Sequence, residues 1–353
     1  MNARIRFVVL ASAAAALGAG LQGCSQRSEA AITAVQTTPA TGATATAAVP
    51  TAAMPKTMMS ATGVHPAGTS GPGPAGPGTG SILGVPRPAA EYPDGDEYSV
   101  VNPTSGAVLA VTVTAPEAGT GALPALVLVP GGSGDSSAFG PGTGTDAAEI
   151  AAGGFVVVTF DPDGRGRSAG TEDFNGTVHQ DGLAAVVEFT ATLDGVDETR
   201  IGLVTFSYGV TMAAGALARH AEMPVGFLLD WEGPADRDDT AGCDGGGSGH
   251  LGAVAACDNA AFWAQREATT FLGTVDVVYA RLQSEDDHVQ PDAASAVELV
   301  NAAVLGGAPT VLLNGAEVAT PLASADTLLS NRTDIHLAMV VAEQAAMLFG
   351  LAA

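Results

Sequence analysis

The nine residues I-G-L-V-T-F-S-Y-G at positions 201–209 decide the fold. Residues 201–206 are apolar almost throughout, which is typical of a strand buried on both faces of a parallel sheet. A sharp turn and a helical pattern over 208–220 follow at once. A strand, a sharp turn and a helix in this order hold a serine in a strained conformation that exposes its hydroxyl. The stretch therefore predicts a nucleophilic serine, Ser207, at the carboxyl end of a central strand.

The same alternation of strand and helix extends on both sides of this stretch. A hairpin is predicted first, and further strands are predicted at 125–129, 155–160, 225–229, 275–280 and 310–313, with the two arms of the hairpin at 98–101 and 108–114. Helical patterns separate the strands, at 145–153, 179–193, 208–220, 292–304 and 335–350. This order predicts an α/β domain with a doubly wound, mostly parallel sheet. In such sheets ligands bind at the carboxyl ends of the strands, so we expect the chemistry there.

Residues 231–271 interrupt the alternation with glycine-rich and acidic sequence. One helix is predicted within them, at about 259–269, and we expect the whole segment to form a small cap over the carboxyl edge of the sheet. Cys243 and Cys257 lie in this cap. In an oxidising compartment they are expected to form a disulfide, which would stabilise the fold by about 3 kcal/mol. Metal binding by the two cysteines, with His250 between them, is the weaker alternative.

The serine stretch resembles the nucleophile elbow G-x-S-x-G of the α/β-hydrolase superfamily. Gly209 matches the pattern, whereas Thr205 replaces its first glycine. The lead-in G-V-D-E-T-R-I-G at 195–202 is similar to that of the dienelactone-hydrolase-like and prolyl-oligopeptidase-like members. The resemblance extends over the whole domain, and it implies the α/β-hydrolase fold and a serine hydrolase.

The resemblance also implies a catalytic acid and base in the chain order Ser, Asp, His. The turn S-E-D-D-H-V-Q-P at 284–291 resembles the family's acid turn and places Asp287 in that role. Its neighbour Asp286 is a close alternative, and Asp230, at the end of the preceding strand, is the rival acid. His336 follows the final strand and begins the last helix, where the family keeps its base. His288 is expected on the surface, because adjacent residues in a turn point apart.

Two further loops resemble parts of the same site. The oxyanion hole is expected to use the backbone N–H of Tyr208 together with that of Gly132 or, as second choice, Ser133, in the P-G-G-S-G loop at 130–134. The loop D-P-D-G-R-G-R-S at 161–168 resembles one that shapes the side of the site in this superfamily. Arg165 in this loop is expected to brace it.

The first ninety residues indicate export. Residues 1–23 have the short basic and apolar pattern of a signal peptide, and L-Q-G-C at 21–24 resembles a lipobox that would place acyl chains on Cys24. An ordinary secretory signal is the alternative. Residues 24–90 consist mostly of Ala, Thr, Gly and Pro and are expected to form a disordered tether. The remaining 91–353 form one domain.

Charge restricts the partners of this domain. Residues 91–353 contain 36 Asp and Glu against eight Arg and no Lys, a formal charge of −28. Such a surface repels nucleic acid and anionic lipid headgroups. We therefore expect no nucleic-acid partner, and contact with a membrane only through the N-terminal lipid anchor. Separately, we expect no cofactor and no metal.

The sequence thus predicts an exported, membrane-anchored serine hydrolase that faces the periplasm or the cell surface. The leading hypothesis is a carboxylesterase for small or medium esters that works through an acyl-Ser207 intermediate. A serine peptidase on the same fold is the first alternative. A non-catalytic binding lipoprotein on a degenerate hydrolase fold is the second, and the departures at Thr205, Ser284 and Pro130 keep it open.

Overall fold

The protein is described by a computed structural model for residues 91–116, 121–243, 254–330 and 337–351. The predicted signal peptide, Cys24 and the predicted tether lie outside these residues. Nine strands form one mixed sheet: β1 (Asp96–Val101), β2 (Val108–Thr114), β3 (Leu123–Val129), β4 (Val156–Phe160), β5 (Val196–Phe206), β6 (Val225–Trp231), β7 (Val278–Leu282), β8 (Val311–Leu313) and β9 (Ala316–Glu317).

The strand order is β1-β2-β4-β3-β5-β6-β7-β8-β9. Strands β3 to β8 pair in parallel, whereas the pairs β1–β2, β2–β4 and β8–β9 are antiparallel. Strand β5 lies in the middle of the parallel part, between β3 and β6. The doubly wound, mostly parallel α/β sheet that the sequence predicts is therefore confirmed.

Eight α-helices lie within the described ranges: α1 (Ala147–Ala151), α2 (Thr177–Ala191), α3 (Gly209–Arg219), α4 (Arg237–Ala241), α5 (Ala260–Trp263), α6 (Ala268–Leu272), α7 (Ala294–Gly306) and α8 (Leu337–Leu348). Two apolar cores cover the two faces of the sheet. Helices α2, α3, α6 and α7 contribute to one core, and α1 and α8 contribute to the other. None of the helices in the described part of the chain is both long and apolar enough to cross a bilayer.

The side chains of a buried strand point alternately to the two faces of the sheet, which explains why helices must cover both faces. In β3, Ala125, Val127 and Val129 belong to the first core. Leu126 and Leu128 belong to the second. Successive side chains of a strand point to opposite faces, so an unbroken apolar run places apolar groups on both.

Two local expectations differ from the structure. The strand expected at 275–280 begins only at Val278, because its pairing with β6 starts where Phe227 meets Val278. The single helix expected at about 259–269 is two short helices, α5 and α6. Between them Arg266 turns inward, and its guanidinium donates to the backbone oxygen of Asp173 at 2.8 Å.

Candidate active site

Ser207 occupies the turn between β5 and α3 with a φ of 52°. Left-handed backbone is costly for a residue with a side chain, and it is found where the surrounding structure enforces it. The enforcement comes from close packing. A Cβ on Gly209 would lie 2.8 Å from the carbonyl oxygen of Val129, and a Cβ on Gly131 would lie 2.6 Å from that of Phe206. Glycine at both positions therefore lets the loop after β3 sit directly against the elbow.

A cavity of about 250 Å³ opens at this carboxyl edge. It is lined by Gly131, Gly132, Ser207, Tyr208, Glu232, Pro234, Asp239, Thr240, His288, Val289 and Gln290. The structure thus brings together Ser207 and both residues predicted for the oxyanion hole, Gly132 and Tyr208. Ser133, the second choice for that role, is not among the lining residues.

Tyr208 is fixed by two contacts. Its hydroxyl donates to the carbonyl oxygen of Phe174 at 3.1 Å, and its own carbonyl oxygen accepts from Nδ2 of Asn175 at 2.8 Å. Burial raises the pKa of its phenol above the ordinary value, so the hydroxyl stays protonated and acts as a donor. The backbone N–H of Tyr208 is therefore held at a defined place beside Ser207.

Arg165 connects the loops around the elbow. Its guanidinium makes a two-pronged contact with Glu172, at 2.8 and 2.7 Å, and donates to Oδ1 of Asn175 at 2.9 Å. It also donates to the carbonyl oxygen of Gly134 at 3.3 Å. Because Asn175 in turn holds Tyr208, Arg165 connects the oxyanion loop with the elbow. The sequence predicts only that it braces its own loop.

The predicted acid, Asp287, lies in the turn after β7 beside the cavity but not on its wall. Oδ1 accepts from the backbone N–H groups of Val289 and Gln290, both at 2.8 Å. Oδ2 accepts from Nε2 of Gln283 at 2.9 Å. The carboxylate is thus held by its own turn. The predicted base, His336, lies outside the described residues, so its pairing with Asp287 stays a prediction.

The rival acid, Asp230, lies inside the sheet and is fully buried. Its Oδ2 accepts from Nη1 of Arg281 at 2.6 Å and from the hydroxyl of Tyr279 at 2.9 Å. Asp230 is not part of the cavity wall, and its ion pair with Arg281 gives it a structural role.

His288 is not the surface residue that the sequence predicts. Its side chain is only 20% exposed and lines the cavity that holds Ser207. The prediction is wrong because the two neighbours in the turn do not point apart: Oδ1 of Asp287 lies 3.5 Å from Nδ1 of His288, whose ring lies at the cavity. Nδ1 of His288 lies 2.9 Å from Oε2 of Glu232.

Glu232 is a site residue that the sequence reasoning missed. It follows β6 directly, is 1% exposed and has a φ of 47°. Burial acts to raise the pKa of its carboxyl, but hydrogen bonds from His288 and Ser284 outweigh burial and lower it. The position of Glu232 in the sequence could have identified it, because an acidic residue directly after a buried parallel strand lies at the ligand-binding edge of the sheet.

One group of side chains at this site has the composition of a metal site. One ligand atom from each of Glu232, Asp287 and His288 lies within 4.8 Å of the others. Nδ1 of His288 lies within hydrogen-bond distance of Glu232, and the carboxylate oxygens of Glu232 and Asp287 accept hydrogen bonds, so the three side chains form an acid–histidine cluster.

Two other described histidines lie away from the cavity. His179 is buried in α2, and its Nε2 lies 2.9 Å from the carbonyl oxygen of Asp163. His220 follows α3 and contacts Asp181 at 2.8 Å. Both contacts lie away from the cavity, and His250 lies outside the described residues.

A disulfide joins Cys243 to Cys257, with the Cα atoms 5.5 Å apart. Cys243 lies shortly after the end of α4. The two cysteines are therefore bonded to one another, as predicted, and the metal-binding alternative does not apply.

Comparison with known proteins agrees with this architecture. Residues 105–239 match the family described as X-Pro dipeptidyl-peptidase (S15 family). No curated protein sequence matches the chain.

Solved structures resemble the chain at low sequence identity. A puromycin hydrolase is 18% identical with a TM-score of 0.54, over 76% of this chain and 41% of its own. Dipeptidyl peptidase 4 from Porphyromonas gingivalis is 18% identical with a TM-score of 0.52, over 74% of this chain and 36% of its own. Est1E from Butyrivibrio proteoclasticus, solved with ferulic acid, is 17% identical with a TM-score of 0.51, over 71% of this chain and 97% of its own.

The chain spans less than half the length of the puromycin hydrolase and of the dipeptidyl peptidase. At these identities the likeness establishes the fold. The match to the S15 family model covers residues 105–239, which include the strained serine at the elbow. The chain therefore has the α/β-hydrolase fold.

Proposed function

We propose that the protein is a carboxylesterase that cleaves small or medium esters through an acyl-Ser207 intermediate. The observation that carries this proposal is Ser207, held in left-handed backbone on the wall of the same cavity as Gly132 and Tyr208. A hydroxyl so placed attacks the ester carbonyl carbon, and nearby N–H groups stabilise the oxygen that becomes negative. Water then hydrolyses the acyl-enzyme.

The proposal also requires a histidine to take the proton of Ser207 and a carboxylate to orient that histidine. The sequence proposes His336 with Asp287 for this pair. The cavity itself holds a second pair, His288 with Glu232. Measuring the activity of variants at His336 and at His288 distinguishes the two pairs.

Size and charge support small, uncharged substrates. A cavity of about 250 Å³ is at the lower end of the range for small-molecule sites. Its wall contains Glu232 and Asp239 and neither Arg nor Lys, so it offers no positively charged side chain to bind an anionic substrate. These points favour uncharged esters.

A serine peptidase is the second candidate. The match of residues 105–239 to the X-Pro dipeptidyl-peptidase family favours it, because the same acyl-enzyme chemistry cleaves amides. A non-catalytic binding protein is the third reading, and loss of all turnover with retained ligand binding would establish it.

We further propose export and attachment to a membrane through acylated Cys24. The disulfide between Cys243 and Cys257 supports export, because such bonds persist in oxidising compartments. Labelling with a fatty-acid analogue tests the anchor. Incorporation that Cys24→Ser abolishes supports it, and incorporation that persists in Cys24→Ser contradicts it.

A panel of p-nitrophenyl esters and peptide p-nitroanilides tests the proposed chemistry. We expect turnover of acetyl to hexanoyl esters and at least tenfold lower kcat/KM on the anilides. Ser207→Ala removes the turnover, whereas Ser99→Ala, on the exposed face of β1, leaves it unchanged. Preferred cleavage of the anilides would favour the peptidase instead.

A further inference from the structure

Two side chains on the wall of the cavity carry an oxygen that has no hydrogen-bond partner among the described residues. These oxygens are Oγ1 of Thr240 and Oε1 of Gln290. Both residues line the cavity that holds Ser207, and they are only 5% and 8% exposed. In the described part of the chain one further buried side-chain atom lacks a partner, Oε1 of Gln180, and that residue does not line the cavity. The unpaired oxygens are therefore concentrated at the proposed active site.

A buried oxygen without a partner is unfavourable, because it has lost its hydrogen bonds to water and gained none in return. Most buried polar atoms in native proteins are paired for this reason. A ligand that supplies the missing hydrogen bond recovers the loss, and small-molecule sites use a few such polar groups to select and orient what they bind. Two unpaired oxygens beside a nucleophilic serine thus indicate a contact with the substrate.

The two carboxylates on the same wall are already engaged. Ser284 and His288 make four hydrogen-bond contacts with the carboxylate of Glu232. Oδ2 of Asp239 accepts from the hydroxyl of Ser295 at 2.5 Å. Because these acids are held by their own neighbours, the two unpaired oxygens are the groups on this wall that have a hydrogen bond left to make.

One hydrogen bond fixes the orientation of the Gln290 amide. Its Nε2 donates to the carbonyl oxygen of Asp239 at 3.0 Å. Only the NH₂ end of the amide donates, so Oε1 is the end that remains free. The same bond brings this amide next to the peptide group that joins Asp239 to Thr240. The two unpaired oxygens therefore belong to one part of the wall, where α4 meets the turn after β7.

The chemistry of the two oxygens defines the group that they bind. The amide oxygen of Gln290 only accepts a hydrogen bond, whereas the hydroxyl of Thr240 both donates and accepts. A hydroxyl on the substrate satisfies both, because it donates to the amide oxygen and accepts from the threonine. A carbonyl oxygen would satisfy Thr240 alone, and a methyl group would satisfy neither.

We propose that Thr240 and Gln290 form a polar subsite that selects esters with a hydroxyl group on their acyl or alcohol part, and this rests on the proposed acyl-Ser207 chemistry. The substrate hydroxyl donates to Oε1 of Gln290 and accepts from the hydroxyl of Thr240. The subsite holds the ester in one orientation relative to Ser207. Thr240 and Gln290 determine specificity and take no part in making or breaking bonds.

Two matched pairs of esters test the proposal on the full chain. For the acyl part, each enantiomer of p-nitrophenyl 3-hydroxybutyrate is compared with p-nitrophenyl 3-methylbutyrate, in which a methyl group replaces the hydroxyl. For the alcohol part, 2-hydroxyethyl butyrate is compared with propyl butyrate, which makes the same replacement. We expect the wild type to favour the hydroxylated ester in at least one pair, by about tenfold or more in kcat/KM.

Two variants assign this preference to the subsite. Thr240→Val and Gln290→Leu remove one unpaired oxygen each, and both should reduce the preference to less than about threefold. A loss of fold alone would lower turnover of both esters in a pair and leave their ratio unchanged. Thr274→Val is the matched control, because its hydroxyl is exposed and bonds to the backbone of α6. Thr240→Val should be at least as stable to heat as the wild type, since it removes an unpaired buried hydroxyl.

The possible results separate this proposal from the proposed function. A hydroxyl preference below about tenfold in both pairs, with ester turnover present, overturns the subsite and leaves the esterase. A preference that persists undiminished in Thr240→Val and Gln290→Leu also overturns the subsite. If the wild type turns over none of these esters, the proposed function itself is overturned.

Discussion

The hydroxyl of Thr205 donates a hydrogen bond to Oδ1 of Asp230, 3.2 Å away and inside the sheet. Both side chains are completely buried. Arg281 and Tyr279 occupy the other carboxylate oxygen. The threonine that replaces the first glycine of the elbow pattern thus completes a buried polar network directly below Ser207.

This contact predicts the effect of removing one hydroxyl. Thr205→Val keeps the shape of the side chain but leaves Oδ1 of Asp230 without its donor. We expect the free energy of unfolding to fall by about 1–3 kcal/mol, since a buried acceptor loses its partner. Urea denaturation measures this, and esterase activity should stay within about threefold. Thr205→Ser keeps the hydroxyl and should therefore lose less unfolding free energy than Thr205→Val. Equal stability of Thr205→Val and the wild type would contradict the account.

The central sheet follows from the sequence because its apolar runs admit few other structures. Unbroken runs such as 125–129 must bury both faces, and the helices between them have to supply the cover. The elbow could also be predicted, because the strand, the serine and the helix follow one another directly in the sequence. Gly132 and Tyr208 could be named for the same reason.

The pair formed by His288 and Glu232 could not be predicted in this way. The two residues are 56 positions apart, and they meet only because β6 and β7 are neighbours in the sheet. Spacing along the chain does not encode that contact. Similarly, the break between α5 and α6 depends on the contact of Arg266 with Asp173, which are 93 positions apart.

Removal of the brace at Arg165 should weaken both fold and activity. Arg165→Met leaves Glu172 and Asn175 without their partner, and we expect a loss of about 3 kcal/mol in the free energy of unfolding. A drop in kcat should accompany it because Asn175 positions Tyr208. Arg200→Met is the matched control, since its ion pair with Asp197 is more exposed than that of Arg165 and should contribute less. Equal losses of unfolding free energy and kcat in Arg165→Met and Arg200→Met would show that Arg165 does not brace the site.

The disulfide should stabilise the cap region measurably. The double substitution Cys243→Ser with Cys257→Ser opens a loop whose closure contributes about 3 kcal/mol in the chain-entropy model. We expect guanidinium denaturation to show a loss of that order, and reductant should lower the stability of the wild type alone. A wild type that is insensitive to reductant would argue against the bond.

Glu232 should make stability depend on pH in the acid range. Its pKa is lowered in the folded state, so its contribution is fully present above the unfolded value, near 4.5, and is lost as pH falls through the folded value. The difference in unfolding free energy between the wild type and Glu232→Gln should therefore shrink from pH 7 to pH 3. A difference that grows on acidification would mean that the folded protein favours the protonated acid.

Covalent labelling of Ser207 tests the central claim most directly. A fluorophosphonate probe forms a bond only with a serine whose hydroxyl is activated beside an oxyanion hole. We expect intact-mass analysis to show one adduct on the wild-type chain, located by peptide mapping at Ser207, and none on Ser207→Ala. A label elsewhere, or undiminished labelling of Ser207→Ala, would contradict the account.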